Sequence, residues 1–339
     1  MPQTLSATEF LKAPGVILDV RSPAEYAQGH ILGAKAFPLF NNEERAQVGT
    51  CYKQQGREQA VELGLALVGP KLADFVSKAK ALAPERQVRL HCWRGGMRSG
   101  SMAILLETAG LNVSVLTGGY KAFRGWVRTC LQVPKPLVVL GGMTGTGKTM
   151  ILTALAQQGE QVLDLEHLAN HRGSSYGALG LGPQPSTEHF ENCLATQWAK
   201  FDPQRRVWIE AESRRVGICR LPEELFAQME QSPILEVNRS RTERVEILLA
   251  EYGSAGTEAL IAATQRIKKH LGGLRAQQAV ELIRQGNPDA IHLVLDYYDK
   301  AYRYDLQRRS VPIQSVDVSG LSAEQSASCL IERANQCQF

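Results

Sequence analysis

Cys92, Arg94 and Arg98, in the run Cys92-Trp93-Arg94-Gly95-Gly96-Met97-Arg98, are the residues best suited to covalent chemistry. Val88 and Leu90 before them read as a strand; Met102, Ile104, Leu105 and Leu106 after them read as a helix. A cysteine at such a junction faces free backbone N–H groups and the positive end of the helix dipole. Both effects, with Arg94 and Arg98 close in sequence, lower a thiol's pKa, so Cys92 is expected to be a thiolate nucleophile. Gly95 and Gly96 let the loop curl, so that amides along Trp93–Met97 converge on one anion. The competing reading is a buried structural cysteine in a glycine-rich turn.

A second stretch offers phosphate chemistry. Gly142-Met143-Thr144-Gly145-Thr146-Gly147-Lys148-Thr149 fits the P-loop pattern in full, between the strand-like Leu137–Leu140 and a helix-like run from Met150. The amides of such a loop cradle two linked phosphates and Lys148 supplies charge. The Thr149 hydroxyl would hold Mg²⁺ where that ion is used. Asp164 and Glu166 close a segment read as a second strand, and His171, Arg172 and Ser174 lie in a polar, glycine-rich loop suited to substrate contact. Glu210, Glu212 and Arg214 are read as the end of a third strand, with both glutamates on one face. NTPases keep an acid there for Mg²⁺ or water, yet the usual apolar run ending in aspartate is absent. Phosphate binding is therefore expected, rather than hydrolysis. The competing readings are a solvated loop, and a strand end paired with Arg214 and Arg215.

These loops need a scaffold of parallel strands and crossing helices. Strand and helix signals alternate through residue 128, which argues for a parallel sheet flanked by helices. Val133-Pro134-Lys135-Pro136 reads as a linker, because each proline fixes its own φ and discourages helix. We therefore divide the chain into residues 1–133 and 134–339. From about residue 222 the pattern is helical apart from a short strand, Ile234–Val237. Three basic groups follow: Arg239, Arg241 and Arg244; Arg266, Lys268, Lys269, His270 and Arg275; and Arg303, Arg308 and Arg309 among Tyr297, Tyr298, Tyr302 and Tyr304. Arginine with tyrosine can grip phosphates and stack on exposed bases, although such runs also occur as solvated helix faces.

Composition narrows the class. The chain has 339 residues, enough for two domains, with 44% hydrophobic and 21% charged residues, which is the balance of a folded globular protein. No apolar run is long enough to span a membrane and the N-terminus lacks a signal-peptide pattern. Seven scattered cysteines without a Cys-x-x-Cys pair suit neither zinc nor a disulfide framework, and point to the cytoplasm. Residues up to Val133 carry 16 Lys/Arg against 10 Asp/Glu, and the remainder 22 against 24. That excess permits nucleic-acid binding without demonstrating it.

The first half resembles the rhodanese family. The resemblance rests on Asp19-Val-Arg…Glu25-Tyr26…Gly29-His30-Ile31…Gly33-Ala34, the cysteine loop and Leu116-Thr-Gly-Gly-Tyr120. It implies that Cys92 carries a chalcogen or attacks a thio- or phospho-type substrate. The loop is one residue longer than in common sulfurtransferase rhodaneses and has the spacing of cysteine phosphatases, so it suits a larger tetrahedral anion. Phosphatase action would need a general acid, and the sequence names none beside the loop.

The whole chain resembles the bacterial tRNA 2-selenouridine synthase family. Its markers are His91–Ser99, Gly141–Thr149, Ala169–Gly177 and Glu210–Arg214. The resemblance implies an α/β protein, a rhodanese-like domain followed by a P-loop NTPase-like domain with a helical C-terminal part. It implies action on the wobble 2-thiouridine of the tRNAs for Lys, Glu and Gln. The sulfur is first geranylated from geranyl diphosphate. Selenium from selenophosphate, supplied by selenophosphate synthetase, then replaces the S-geranyl group. In this scheme the P-loop binds the diphosphate, with Mg²⁺ as an optional partner and no tightly bound cofactor. Cys92 carries selenium as a selenenylsulfide, and Arg94, Arg98 and the loop amides hold the phosphate part. An ATP-driven tRNA sulfurtransferase, a cysteine phosphatase and a non-catalytic RNA-binding module remain as rivals.

Overall fold

The computed structural model describes residues 2–339. It divides into two compact units, one ending at Cys130 and the other spanning Leu131–Phe339.

The first unit is built on strands β1 (Gln3–Leu5), β2 (Val16–Asp19), β3 (Lys35–Ala36), β4 (Gln87–His91) and β5 (Asn112–Leu116). They lie in the order β1-β5-β4-β2-β3, and every neighbouring pair is parallel. Leu18, Val88, Leu90, Val113 and Val115 pack with Phe37, Phe75, Met102 and Leu106 into the core of this unit. In β4 the apolar residues end at Leu90, and the chain leaves the sheet through buried His91 and Cys92. The helix Met97–Thr108 starts directly after the glycines, as expected.

The second unit contains β6 (Leu137–Gly142), β7 (Gln161–Leu163), β8 (Val207–Glu210), β9 (Arg215–Val216), β10 (Cys219–Arg220), β11 (Ile234–Asn238) and β12 (Ile313–Asp317). Its main sheet has the order β12-β11-β6-β8-β7, again all parallel. All six residues of β6 are buried, which explains its unbroken apolar run. The helices Arg241–Tyr252, Thr257–Arg266, Lys268–Leu271, Gly273–Arg284 and Ala290–Gln307 separate β11 from β12. The chain ends with the helix Ala323–Gln336.

Several local readings change. The second strand stops at Leu163: Asp164 caps the helix Leu165–Ala169, its Oδ1 accepting from the His167 amide at 2.7 Å, so Glu166 is helical. The third strand stops at Glu210, where its register with β6 ends opposite Leu140, leaving Glu212 beyond it. The small antiparallel pair β9–β10 and the strand β12 are additional to the sequence reading. β12 is an edge strand with one buried residue, Val316, and lacks the apolar run that marks β6.

Candidate functional site

The first unit presents the cysteine loop at the C-terminal end of β4, beside the end of β2. Cys92 is 3% exposed, and its Sγ lies 3.2 Å from the Ser99 Oγ in the first turn of the following helix. Burial pushes the thiol up. The Ser99 hydroxyl, the amides of Ser99 and Arg94 and the Arg98 charge together outweigh it, so the thiol is held below its ordinary value. The sequence reading of the site does not include Ser99, although its position immediately after Arg98, at a helix start, is a signal for it. Gly95 has φ +66°, and a Cβ there would lie 2.8 Å from the Leu116 carbonyl oxygen. Only glycine lets the loop pack so closely on the Gly118–Gly119 turn. The amides of Tyr120 and Lys121 donate to the carbonyls of Cys92 and Trp93 and hold that side of the loop down.

Arg98 is committed to a carboxylate: its Nη1 donates to Glu25 Oε2 at 2.8 Å. Burial raises the Glu25 carboxyl, but the Arg98 hydrogen bond and charge and the Ser22 amide hold it below the ordinary carboxylate range. Glu25 is therefore ionised, and is not a proton donor for a leaving group. Arg94, Trp93 and Met97 are exposed at the loop's rim, with Gly96. Behind the loop, His91 is fully buried 3.7 Å from Asp19, which is paired to the buried Arg21. Burial drives His91 down to about 4, so it is neutral.

In the second unit the loop between β6 and the helix Lys148–Gln157 has left-handed glycines at Gly145 (φ +82°) and Gly147 (φ +84°). A Cβ on Gly145 would lie 2.8 Å from the Arg244 carbonyl oxygen. Arg244 Nε in turn donates to the Thr144 carbonyl at 2.8 Å, and its guanidinium is paired with buried Asp299. Thr146 is buried and donates to the Met143 carbonyl at 2.8 Å, so its side chain shapes the loop.

Around this loop the structure assembles Lys148, Thr149, Glu166, Glu210 and Glu212. Thr149 Oγ1 donates to Glu166 Oε2 at 3.2 Å, and the Glu166 amide donates to Glu210 Oε1 at 2.7 Å. Glu166 and Glu212 share a hydrogen bond. Burial lowers Lys148, while Glu166, Glu212 and Glu210 pull it back up. Burial raises all three carboxyls, Glu212 to about 8. A Cβ on Gly173 would fall 2.5 Å from Glu212 Oε1 and 2.8 Å from Glu166 Oε1, so the 170–177 loop abuts this cluster.

The other candidates are placed differently. His171 is buried within its own loop, lowered by burial and by Arg266 and Arg172. Arg172 pairs with Glu251 at 2.7 Å and donates to the Leu179 carbonyl. Ser174 accepts from the Tyr176 amide at 3.1 Å. Arg214, grouped with the two glutamates in the sequence, is exposed and pairs with Glu223 at 2.5 Å.

Beside the P-loop lies a cavity of about 260 Å³. Thr144 and Ser174 are in its wall, and the rest is mostly apolar or aromatic, including Leu248, Tyr252, Ile291 and Tyr298. Its residues come from segments spread between 144 and 298, and no local pattern announced it. Tyr297 and Tyr298, read as base-stacking aromatics, instead pack half-buried against Tyr176, Ala263 and Ile267. Arg239, Arg241 and Arg244 are all paired with carboxylates. Lys268, Lys269, His270 and Arg275 form the exposed basic group; Arg303 and Tyr304 are exposed on the helix Ala290–Gln307, and Arg308 directly after it. Among the described residues no cluster of three or more His, Cys, Asp or Glu could hold a metal, and no helix is long and apolar enough to cross a membrane.

Residues 5–125 match the rhodanese-like domain, and residues 135–327 match the tRNA 2-selenouridine synthase AAA domain. The tRNA 2-selenouridine synthase of Marinobacter nauticus is 36% identical over 330 residues, covering 86% of this chain and 89% of that protein. That of Pseudomonas syringae pv. tomato is 36% identical over 355 residues (92% and 95%), and that of Shewanella denitrificans 34% over 346 residues (91% and 93%). Similarity of this extent, with both loops built on the expected parallel sheets, shows that the chain belongs to the tRNA 2-selenouridine synthase family.

Proposed function

We infer that the chain is a tRNA-modifying transferase that makes 2-selenouridine, acting on wobble 2-thiouridine of the tRNAs for Lys, Glu and Gln in two steps. Geranyl transfer from geranyl diphosphate to the sulfur takes place in the second unit. Replacement of S-geranyl by selenium from selenophosphate takes place at Cys92. Alkylation makes the sulfur a better leaving group, since a thiolate departs more readily than sulfide.

The observation that carries this reading is the apolar cavity with a P-loop residue, Thr144, in its wall. An allylic diphosphate has the matching two parts, a doubly phosphorylated head and a hydrocarbon tail. A cavity of about 150 Å³ accommodates the six-carbon benzene ring, so one of about 260 Å³ suits roughly ten carbons. The amides of Gly145–Thr149 and the Lys148 ammonium would hold the diphosphate. The Thr149 hydroxyl, a hard oxygen donor, would take Mg²⁺ if the diphosphate supplies most of its other oxygens. The exposed Lys268, Lys269 and Arg275 would meet tRNA phosphates. Seven free cysteines are in keeping with a cytoplasmic enzyme fed by selenophosphate synthetase.

ATP-driven sulfur transfer fits less well, because a nucleoside would put a polar ribose and base against an apolar wall. Phosphatase action on ordinary esters needs a proton donor, and Glu25, the carboxyl on Arg98, is ionised. The test is nucleoside mass spectrometry on tRNA bearing wobble 2-thiouridine, incubated with geranyl diphosphate and selenophosphate. Wild type should yield 2-selenouridine, Lys148→Ala should leave the thiouridine unalkylated, and Cys92→Ala should stop at the geranylated nucleoside. Unchanged thiouridine with the wild type would end this reading.

A further inference from the structure

Taking selenophosphate as the donor, as the preceding reading does, the oxidation states constrain what Cys92 can accept. Selenium in selenophosphate is already at the selenide level, and phosphorus is fully oxidised. Moving selenium onto the Cys92 sulfur as an S–Se bond would oxidise it by two electrons. That requires an oxidant, or a reduced phosphorus product. The side-chain partner of Cys92 is the Ser99 hydroxyl at 3.2 Å, which accepts no electrons, and all seven cysteines are free thiols.

The loop suits a different transfer. Five residues separate Cys92 from Arg98, which gives the loop room for a tetrahedral phosphoryl group. The Arg94 and Ser99 amides are directed at the sulfur, and Arg98 is held in place by Glu25 at 2.8 Å. The loop has no proton donor at Glu25, the carboxyl that touches its arginine. A sugar alkoxide could not depart without one, whereas hydrogen selenide is a weak base and leaves with the single proton that selenophosphate carries near neutral pH, so the loop need supply none. A loop whose neighbouring carboxyl is ionised can therefore cleave a P–Se bond more readily than an ordinary phosphate ester.

We propose that Cys92 accepts the phosphoryl group of selenophosphate rather than its selenium. The thiolate attacks phosphorus, an S–P bond forms, and the P–Se bond breaks with its electron pair going to selenium, which leaves as hydrogen selenide. The selenide adds to C2 of the S-geranylated uridine and expels geranylthiolate. Water then hydrolyses the cysteinyl phosphate, returning thiolate and inorganic phosphate. No atom changes oxidation state. This replaces the expectation that Cys92 carries selenium.

The experiment is a single turnover of the full chain, in excess over selenophosphate labelled with ³²P, with S-geranylated tRNA added to half of each sample. Aliquots are quenched in neutral denaturant for protein-bound ³²P and for intact mass spectrometry. The expected result is ³²P on the Cys92 peptide without selenium's isotope pattern, reduced to background in Cys92→Ala and discharged as inorganic phosphate as 2-selenouridine forms. Selenium on Cys92 without ³²P would overturn the proposal. So would 2-selenouridine made at the normal rate with neither label on the protein at any time. Failure of the wild type to make 2-selenouridine from S-geranylated tRNA would instead strike the reading of the preceding subsection.

Discussion

Replacing Ser99 by alanine isolates what the hydroxyl does for the Cys92 thiolate. A hydrogen bond to a charged group contributes about 1.5–3 kcal/mol. The Ser99 hydroxyl has one hydrogen, and the Gly96 carbonyl at 3.2 Å competes with the sulfur for it. The competition puts the net effect just below that range, about 1.4 kcal/mol, which is about a tenfold change in thiolate population. The Ser99 and Arg94 amides remain in the variant, so the thiol stays partly favoured as thiolate. Only the thiolate reacts with iodoacetamide, so below the thiol's ionisation Ser99→Ala should be alkylated at Cys92 about tenfold more slowly than wild type. At high pH, where both are fully ionised, the rates should meet. The assay is alkylation rate against pH, with Cys92 followed by peptide mass spectrometry. Superimposable profiles would refute the argument; a constant ratio at all pH values would show that the hydroxyl acts on access rather than on charge.

Two further outcomes are expected. Ile291→Trp, which fills the cavity from its wall, should raise KM for geranyl diphosphate while leaving inhibition by inorganic diphosphate unchanged, as read from steady-state geranyl transfer. Acid should destabilise the first unit through His91: its folded value of about 4 lies below the unfolded 6.5, so the unfolded chain binds the extra proton between them. Stability is then unaffected above pH 6.5 and about 2 kcal/mol lower by pH 5, and urea titrations of His91→Gln should show a flatter pH dependence there.

Both reactive loops were legible in the sequence because each is specified by glycines and charged residues within about eight positions. Chain reversals and left-handed backbone at Gly95, Gly145 and Gly147 leave a direct imprint on residue type. What escaped depends on distance in three dimensions. The cavity gathers side chains from 144 to 298, and apart from Thr144 and Ser174 most of them look like ordinary helix core in their own windows. Glu25 meets Arg98 across 73 positions, which keeps that carboxyl from serving as an acid. Asp164 and Glu166 were read as a strand end, but an acid after a strand is equally a helix cap, and the Asp164–His167 bond decides it. By composition the tyrosines of the helix Ala290–Gln307 read as a stacking surface; the neighbouring helices half-bury Tyr297 and Tyr298 while leaving Tyr304 outside.

The charge balance around Lys148 leads to a last prediction. The half-buried Lys148 ammonium donates to the Gly142 carbonyl at 2.8 Å and feels the charges of Glu166, Glu212 and Glu210, all raised by burial. Glu212 titrates near 8, and Lys148 is one of the groups holding it down. A diphosphate on the P-loop draws that ammonium to itself and adds negative charge, so Glu212 must move further up and the complex must take up a proton. By linkage, affinity should fall as pH rises above about 8, by at most tenfold per unit for a single proton. Glu212→Gln fixes the neutral state, so its affinity should exceed that of the wild type at pH 9 and match it near pH 7. Titration calorimetry with inorganic diphosphate, without Mg²⁺ and in two buffers of different ionisation heat, reads the proton directly. The ligand's own protonation is common to both proteins and cancels in the comparison. Equal proton uptake by wild type and Glu212→Gln would mean that this carboxyl does not register the diphosphate, and that the cluster stands apart from the phosphate site.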